Sequence, residues 1–243
     1  AGRLEDALVA IDALLAAAPA RVDARVLRAR CLRQLNRPDE ACASLQQALT
    51  HAPDAPEVHL GLGDLLQTRA PEAAVHHYGR VLAQLPTHSG ALNNLALVHK
   101  AAGRLADARE LLERAVAARP EMVEACNNLG NLLLDLGEAD AAIQRYEQAL
   151  AAQPDNPLTQ IHLGNALRLA GRHDAARAVL QACLARHPGQ SGAYNNLGVL
   201  LDAENRHIDA IEVFQAALQH APQDAAIWAN LSGTLLASKK KKN

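Results

Sequence analysis

The sequence predicts an all-α solenoid built from antiparallel helix pairs, on three observations. Prolines at 19, 53, 86, 120, 154, 188 and 222 recur at intervals of 34, 33, 34, 34, 34 and 34 residues, a repeat period that accommodates two helices and is too regular for scattered loop breakers. Aligned on those prolines, Ala7, Ala41, Ala74, Ala108, Ala142, Ala176 and Ala210 share one column, and Gly63, Gly130, Gly164 and Gly198 share another whose gaps hold Ala29, Ala96 and Ser232. Small side chains recur where helices approach closely. A third column holds Gly2, Asn36, Gly103, Gly137, Gly171 and Asn205, the two residue types that most readily take the left-handed conformation ending a helix.

Each repeat therefore reads as helix A, a turn, helix B and then proline. Segments such as Ala193 to Glu204 and Ile208 to His220 carry apolar residues at the three- and four-residue spacing of amphipathic helices. Residues 1–21 supply a helix B over 3–18. Full repeats follow at 22–55, 56–88, 89–122, 123–156, 157–190 and 191–224; residues 225–238 supply a final helix A, and 239–243 are a basic tail. The expectation is one solenoid over 1–238. The second repeat is one residue short around Thr68-Arg69-Ala70-Pro71, where the left-handed residue is missing and Pro71 opens the next helix.

Composition excludes several function classes. The chain has 243 residues, a net charge of -2, 49% hydrophobic residues and 2% aromatics, with no apolar run long enough to span a membrane and no basic field for nucleic acid. Cys31, Cys42, Cys126 and Cys183 lie far apart without metal-ligand spacing, which points to a reducing, cytoplasmic setting and to free, buried thiols. The chain contains no HExxH, nucleophile elbow, Walker loop or Rossmann glycine run, so the reading is non-catalytic, with no metal and no cofactor. His51, His187 and His220 fall near the ends of B helices, where an imidazole meets the negative end of the dipole; His76 and His77, adjacent on one helix, point in different directions. Arg25, Arg28, Arg30 and Arg33, flanked by Arg21 and Arg37, form a basic cluster that seven acidic residues within 1–55 balance through ion pairs. The run Lys239 to Lys242 reads as a solvated tail.

The 34-residue pattern resembles the tetratricopeptide repeat family. The repeat at 191–224 carries Tyr194, Leu197-Gly198, Leu201, Ala210, Phe214, Ala217 and Pro222, and that at 123–156 carries Cys126, Leu129-Gly130, Leu133, Ala142, Tyr146, Ala149 and Pro154. The resemblance covers nearly the whole chain and implies a right-handed superhelix whose A helices line a concave groove. All five aromatic residues sit in the frame, Tyr194 and Trp228 on helix A and Tyr78, Tyr146 and Phe214 on helix B, which assigns them to packing between hairpins.

Asparagine is the residue that packing does not explain. Asn93 and Asn94, Asn127 and Asn128, Asn195 and Asn196, and Asn230 precede the Leu-Gly column in mid-helix, with His162 in the intervening repeat and Asn131 and Asn165 one turn on. Each costs roughly half a kcal/mol in helix propensity relative to alanine. Asn94, Asn128, Asn196 and Asn230 resemble the asparagine ladder in the superhelical arm of O-linked N-acetylglucosamine transferases, which implies that they grip the backbone of an extended peptide; Leu27 and Gly61 lack the feature. The rival reading is a hydrogen-bond ladder internal to the repeats. A carboxylate clamp needs cations on the groove walls, and Asn127, Asn131, His162, Gly192 and Asn196 offer none.

The expected function is a non-catalytic scaffold, of bacterial origin on its Ala- and Arg-rich composition, that binds an extended peptide or disordered segment of a protein partner in the groove of repeats three to seven. The alternative is the substrate-recruiting arm of a larger enzyme such as a bacterial O-linked glycosyltransferase. Apolar residues on the terminal half repeats, among them Leu8, Ile11, Leu231 and Leu235, add head-to-tail self-association as a further expectation.

Overall fold

A computed structural model describes residues 2–240. Among the described residues there are fourteen helices and no strand. They fall into two compact units, Ala1–Arg119 and Pro120–Asn243. The first unit holds α1 (Gly2–Ala17), α2 (Val22–Gln34), α3 (Pro38–Leu49), α4 (Pro56–Leu66), α5 (Pro71–Gln84), α6 (Ser89–Ala101) and α7 (Leu105–Ala118). The second holds α8 (Val123–Asp135), α9 (Ala139–Ala152), α10 (Pro157–Leu169), α11 (His173–Arg186), α12 (Ser191–Ala203), α13 (His207–His220) and α14 (Ala225–Lys240). Even-numbered helices are the A helices of the sequence pattern and odd-numbered ones the B helices. Residues 241–243, and with them the end of the lysine run, lie outside the described residues.

The turns inside the hairpins follow from the left-handed column. Asn36, Gly103, Gly137, Gly171 and Asn205 have φ of 57°, 75°, 79°, 72° and 63°. In each case the next residue's N–H reaches back five positions, as in Arg37 to Leu32 at 2.9 Å and Glu138 to Leu133 at 2.8 Å, closing the bond that terminates a helix with a Schellman turn. Gly2 is the first residue of α1. The short repeat behaves differently. No residue between α4 and α5 has positive φ, and Ala70 instead donates to Leu66 at 2.8 Å before Pro71 opens α5.

Packing within each hairpin is an interlock of sizes. Tyr78, Tyr146 and Phe214 are at most 1% exposed, and each ring lies on a glycine of the paired A helix. A Cβ on Gly63, Gly130 or Gly198 would approach that ring to 2.6, 2.5 and 2.6 Å. At two of the three hairpins whose equivalent B position holds leucine, Leu45 and Leu112, the A position holds Ala29 or Ala96, and all four are nearly or fully buried; at the third, Leu180 faces Gly164. The alanine column from Ala41 to Ala210 is fully buried, which lets the backbones close up at native packing density. Tyr194 and Trp228 fit the packing expectation less well: Tyr194 is half-buried against His220, with ring centroids 5.7 Å apart, and Trp228 is 50% exposed. No second helix of Trp228's hairpin lies among the described residues to cover it.

In the second unit, α8, α10, α12 and α14 pack on one another in succession, whereas α9, α11 and α13 show no comparable mutual packing. Close A helices beside spread B helices make the A layer the inner side of that unit, and the side chains of this layer that the B helices do not bury line its inner face.

Candidate functional site

On the inner layer of the second unit, adjacent asparagines have different fates, because one residue along a helix is a rotation of about 100°. Asn127 is 8% exposed and donates from Nδ2 to Thr159 Oγ1 at 2.9 Å, while its Oδ1 is buried without a partner. Asn128, the next residue, is half-buried at the surface and also engaged. Asn131 accepts from the Tyr146 hydroxyl at 2.8 Å, and burial pushes that phenol well above its usual range.

His162 follows in α10 and stacks on Tyr146 with ring centroids 5.6 Å apart and planes 21° from parallel. Burial lowers its pKa, so the imidazole is neutral at pH 7 and can both donate and accept. Asn165 Oδ1 accepts from Arg168 at 2.9 Å. In α12 and α14, Asn230 donates to Asn195 Oδ1 at 2.9 Å and Asn196 donates to the Ile161 carbonyl at 3.3 Å. Asn196 and Asn230 are half-buried, and each retains an amide oxygen that accepts from no group among the described residues.

The first unit carries the remaining two positions. Asn93 is fully buried and donates to Asn94 Oδ1 at 3.0 Å; Asn94 donates to Asp64 Oδ1 at 2.9 Å. Asp64 also accepts from the Tyr78 hydroxyl at 2.9 Å and meets Arg33 at 3.4 Å.

The expected ladder thus divides by rotation about the helix. Asn93 and Asn127 are a correction to the sequence reading, since burial takes them off the surface and into packing contacts. Asn94, Asn128, Asn131, His162, Asn165, Asn195, Asn196 and Asn230 remain at least partly exposed. Two charged neighbours of these residues lie outside the sequence pattern. Asp64 was overlooked because it occupies the Asn131 position with a carboxylate, and Arg168, at the residue three beyond Asn165, could have been found by extending the same face one more turn.

Other candidate chemistry resolves into structure. No group of three or more His, Cys, Asp or Glu side chains able to hold a metal occurs among the described residues. Cys31, Cys126 and Cys183 are buried, Cys42 is half-buried, and all four are free; burial pushes the Cys42, Cys126 and Cys183 thiols up, away from nucleophilic thiolate. The basic cluster is largely neutralised: Arg21 pairs with Asp23, Arg28 with Asp12, Arg33 with Asp64 and Arg37 with Glu5 and Glu40. His187 meets Asp155 at 3.2 Å and His220 stacks on Tyr194, so both act through side chains near the helix ends. No helix among the described residues is long and apolar enough to cross a membrane.

Comparison with known proteins matches this repeat geometry along the chain. Two sequence models of the tetratricopeptide repeat match, one at residues 1–65 and 65–129 and the other at 127–191 and 162–225. The chain is 36% identical over 74 residues to the cellulose synthase operon protein C of Xanthomonas axonopodis pv. citri (strain 306), covering 30% of this chain and 5% of that protein. Among solved structures, Pseudomonas aeruginosa pilF superposes with a TM-score of 0.74 at 20% identity, over 87% of this chain and 97% of that one. YrrB, described as a TPR protein with an unusual peptide-binding site, gives 0.63 at 19% identity over 77% and 97%. Cut9 in its complex with Hcn1 gives 0.78 at 18% identity over 96% and 46%. At these identities the structural likeness concerns the fold. The matched repeats and the hairpin geometry lead to one conclusion: the chain belongs to the tetratricopeptide repeat family.

Proposed function

We propose that this protein-interaction scaffold binds an extended segment of a partner protein along the inner face of its second unit, with Asn128, Asn196 and Asn230 addressing the peptide backbone. The observation that carries this reading is the unspent hydrogen-bonding capacity of Asn196 and Asn230. Each gives an amide N–H to the repeat framework, which fixes its orientation, and keeps its oxygen for a peptide N–H. Asn131 and Asn165 have the converse arrangement, with the oxygen engaged inward and the NH2 group left to donate to a peptide carbonyl. Backbone recognition of this kind gives affinity without demanding particular side chains.

Binding to an array of unstructured neutral peptides tests it. Asn196→Ala is expected to weaken binding by about 0.5 to 1.5 kcal/mol for each neutral hydrogen bond lost, with little change in Tm, because alanine is the better helix former. Asn127→Ala should do the opposite, lowering stability while leaving affinity unchanged, since it strips the buried Thr159 hydroxyl of its partner. Leu27→Ala, on the surface of the first unit, should change neither by much. Destabilisation by Asn196→Ala with unaltered affinity identifies a purely internal ladder.

A second reading has support of its own. The match to the Xanthomonas protein takes up 5% of that protein's length, which favours a repeat array serving a larger polypeptide. As the recruiting arm of an enzyme, for instance a bacterial O-linked glycosyltransferase, the same inner face would hold substrate protein rather than an assembly partner. The full reading frame separates the two, through the presence or absence of a catalytic domain joined to these repeats.

Self-association forms part of the proposal. Leu8, Ile11 and Leu231, expected to present the apolar surface, are instead buried in their own helix packing; of the expected residues Leu235 is exposed, and Val9 on α1 (71% exposed) with Trp228 and Leu236 on α14 (50% and 65%) supplies the rest. One face is of the B kind and the other of the A kind, the two that pair in every hairpin. Docking α14 of one copy on α1 of another buries both, and because the two faces differ the contact propagates head to tail. Light scattering should show mass rising with concentration and falling back to monomer in Leu236→Glu.

A further inference from the structure

Among the described residues, the inner face of the second unit carries a cation, Arg168, that meets no carboxylate. Arg168 lies at the end of α10 and is half-buried. Its only hydrogen bond is from Nη2 to Asn165 Oδ1, on its own helix, and its Nε is buried without a partner. Burial pulls its pKa below the ordinary arginine value, and no carboxylate acts against that shift. A buried guanidinium with a single neutral acceptor is an expensive arrangement.

The first full repeat offers a direct comparison. Arg33 occupies in α2 the position that Arg168 occupies in α10, four residues after the small-residue column, and it meets Asp64 of the next A helix at 3.4 Å. The residue of α12 equivalent to Asp64 is Val199. The one acidic residue on α12's buried-to-intermediate face, Asp202, is held by His207 Nδ1 at 2.8 Å. Arg168 therefore holds the position of Arg33 without the carboxylate that meets Arg33.

We propose that Arg168, oriented by Asn165, is the specificity determinant of the inner face and selects a partner segment carrying a carboxylate at the register of α10. This rests on the groove reading above and adds a side-chain requirement to it. The guanidinium offers Nη1 and Nη2 donors in a planar fork matched to a carboxylate. His162, neutral and one turn before Asn165, adds a polar flank without charge. The carboxylate can come from an aspartate or glutamate side chain or from a chain terminus, and both sources are distinguishable by experiment.

The probe is a set of short Ala/Ser/Thr peptides bearing a single Glu, Gln or Lys at successive positions, each with a free and with an amidated C-terminus, titrated into the intact chain by fluorescence anisotropy. The expected result is a preference of roughly ten-fold for Glu over Gln at one register, as for a charge-assisted hydrogen bond, with Lys weaker than Gln. Preference surviving amidation assigns a side-chain carboxylate, and preference lost on amidation assigns the terminus. Arg168→Met should abolish the preference while leaving Tm unchanged or raised, since it removes an unmet buried charge; Arg168→Gln checks the same ratio should Met fold poorly. Glu and Gln peptides binding the wild-type chain equally overturns the assignment of Arg168 and leaves the groove reading standing. Failure of the neutral peptides and the Glu peptides alike to bind overturns both.

Discussion

Gly130→Ala is expected to destabilise the second unit by about 1 to 3 kcal/mol, the usual cost of overpacking a closed core, even though alanine gains roughly 1 kcal/mol over glycine in helix propensity. The reason is geometric: the new Cβ would stand 2.5 Å from Tyr146 Cε1 and 2.6 Å from Cζ. The ring has nowhere to go, because it is fully buried, its hydroxyl is bonded to Asn131 and His162 is stacked on it. A second substitution, Tyr146→Leu, should restore part of the loss by recreating the pairing of Ala29 with Leu45 and of Ala96 with Leu112 found in the first unit. Gly164→Ala should cost less than Gly130→Ala, since its nearest neighbours, Leu180 Cδ2 and Cγ, both at 2.6 Å, belong to an aliphatic side chain that rotation about χ1 can shift, whereas the Tyr146 ring is rigid and held at its hydroxyl. Chemical denaturation of the three variants gives the ordering, and hydrogen exchange should locate the loss at α8 and α9 first, as in a linear array. Equal loss in Gly130→Ala and Gly164→Ala would contradict the interlock.

The same size rule explains why the hairpins were legible from sequence. Glycine facing an aromatic and alanine facing leucine recur at fixed distances from the prolines, and the left-handed residue between the helices marks each turn independently. Two signals of different physical origin, steric and conformational, agree on the period.

Side-chain partners were less legible, because they depend on rotation about the helix and on register between helices. Asn127 and Asn128 differ by one position in sequence, yet one is buried against Thr159 and the other faces the surface. Arg33 and Arg168 look alike in a column; what separates them is the residue thirty-one positions further on, Asp64 in one case and Val199 in the other. His77 was read only against its neighbour His76, whereas its partner is His59, on the other helix of the hairpin.

That histidine pair makes stability fall with acid between pH 6.5 and about 4. His59 is 4% exposed and its Nε2 is 2.8 Å from the Pro53 carbonyl, so Nε2 carries the proton and Nδ1 is left to accept. His77 Nδ1 lies 2.9 Å away and must be the donor. Burial first, then electrostatic repulsion from the neighbouring imidazoles of His59 and His76, lowers the His77 pKa from 6.5 to about 4. The folded state therefore binds fewer protons than the unfolded chain below pH 6.5, so stability is complete above the unfolded value and is lost as pH falls toward the folded one. Linkage over that interval gives a loss of about 2 kcal/mol by pH 5 and about 3 kcal/mol by pH 4. His77→Asn, which keeps an amide N–H near the Nδ1 position without a titrating ring, should flatten the profile over this range. Denaturation midpoints from pH 7.5 to 4, followed at α4 and α5 by hydrogen exchange, measure it; a variant whose acid sensitivity matches the wild type would place the titrating group elsewhere.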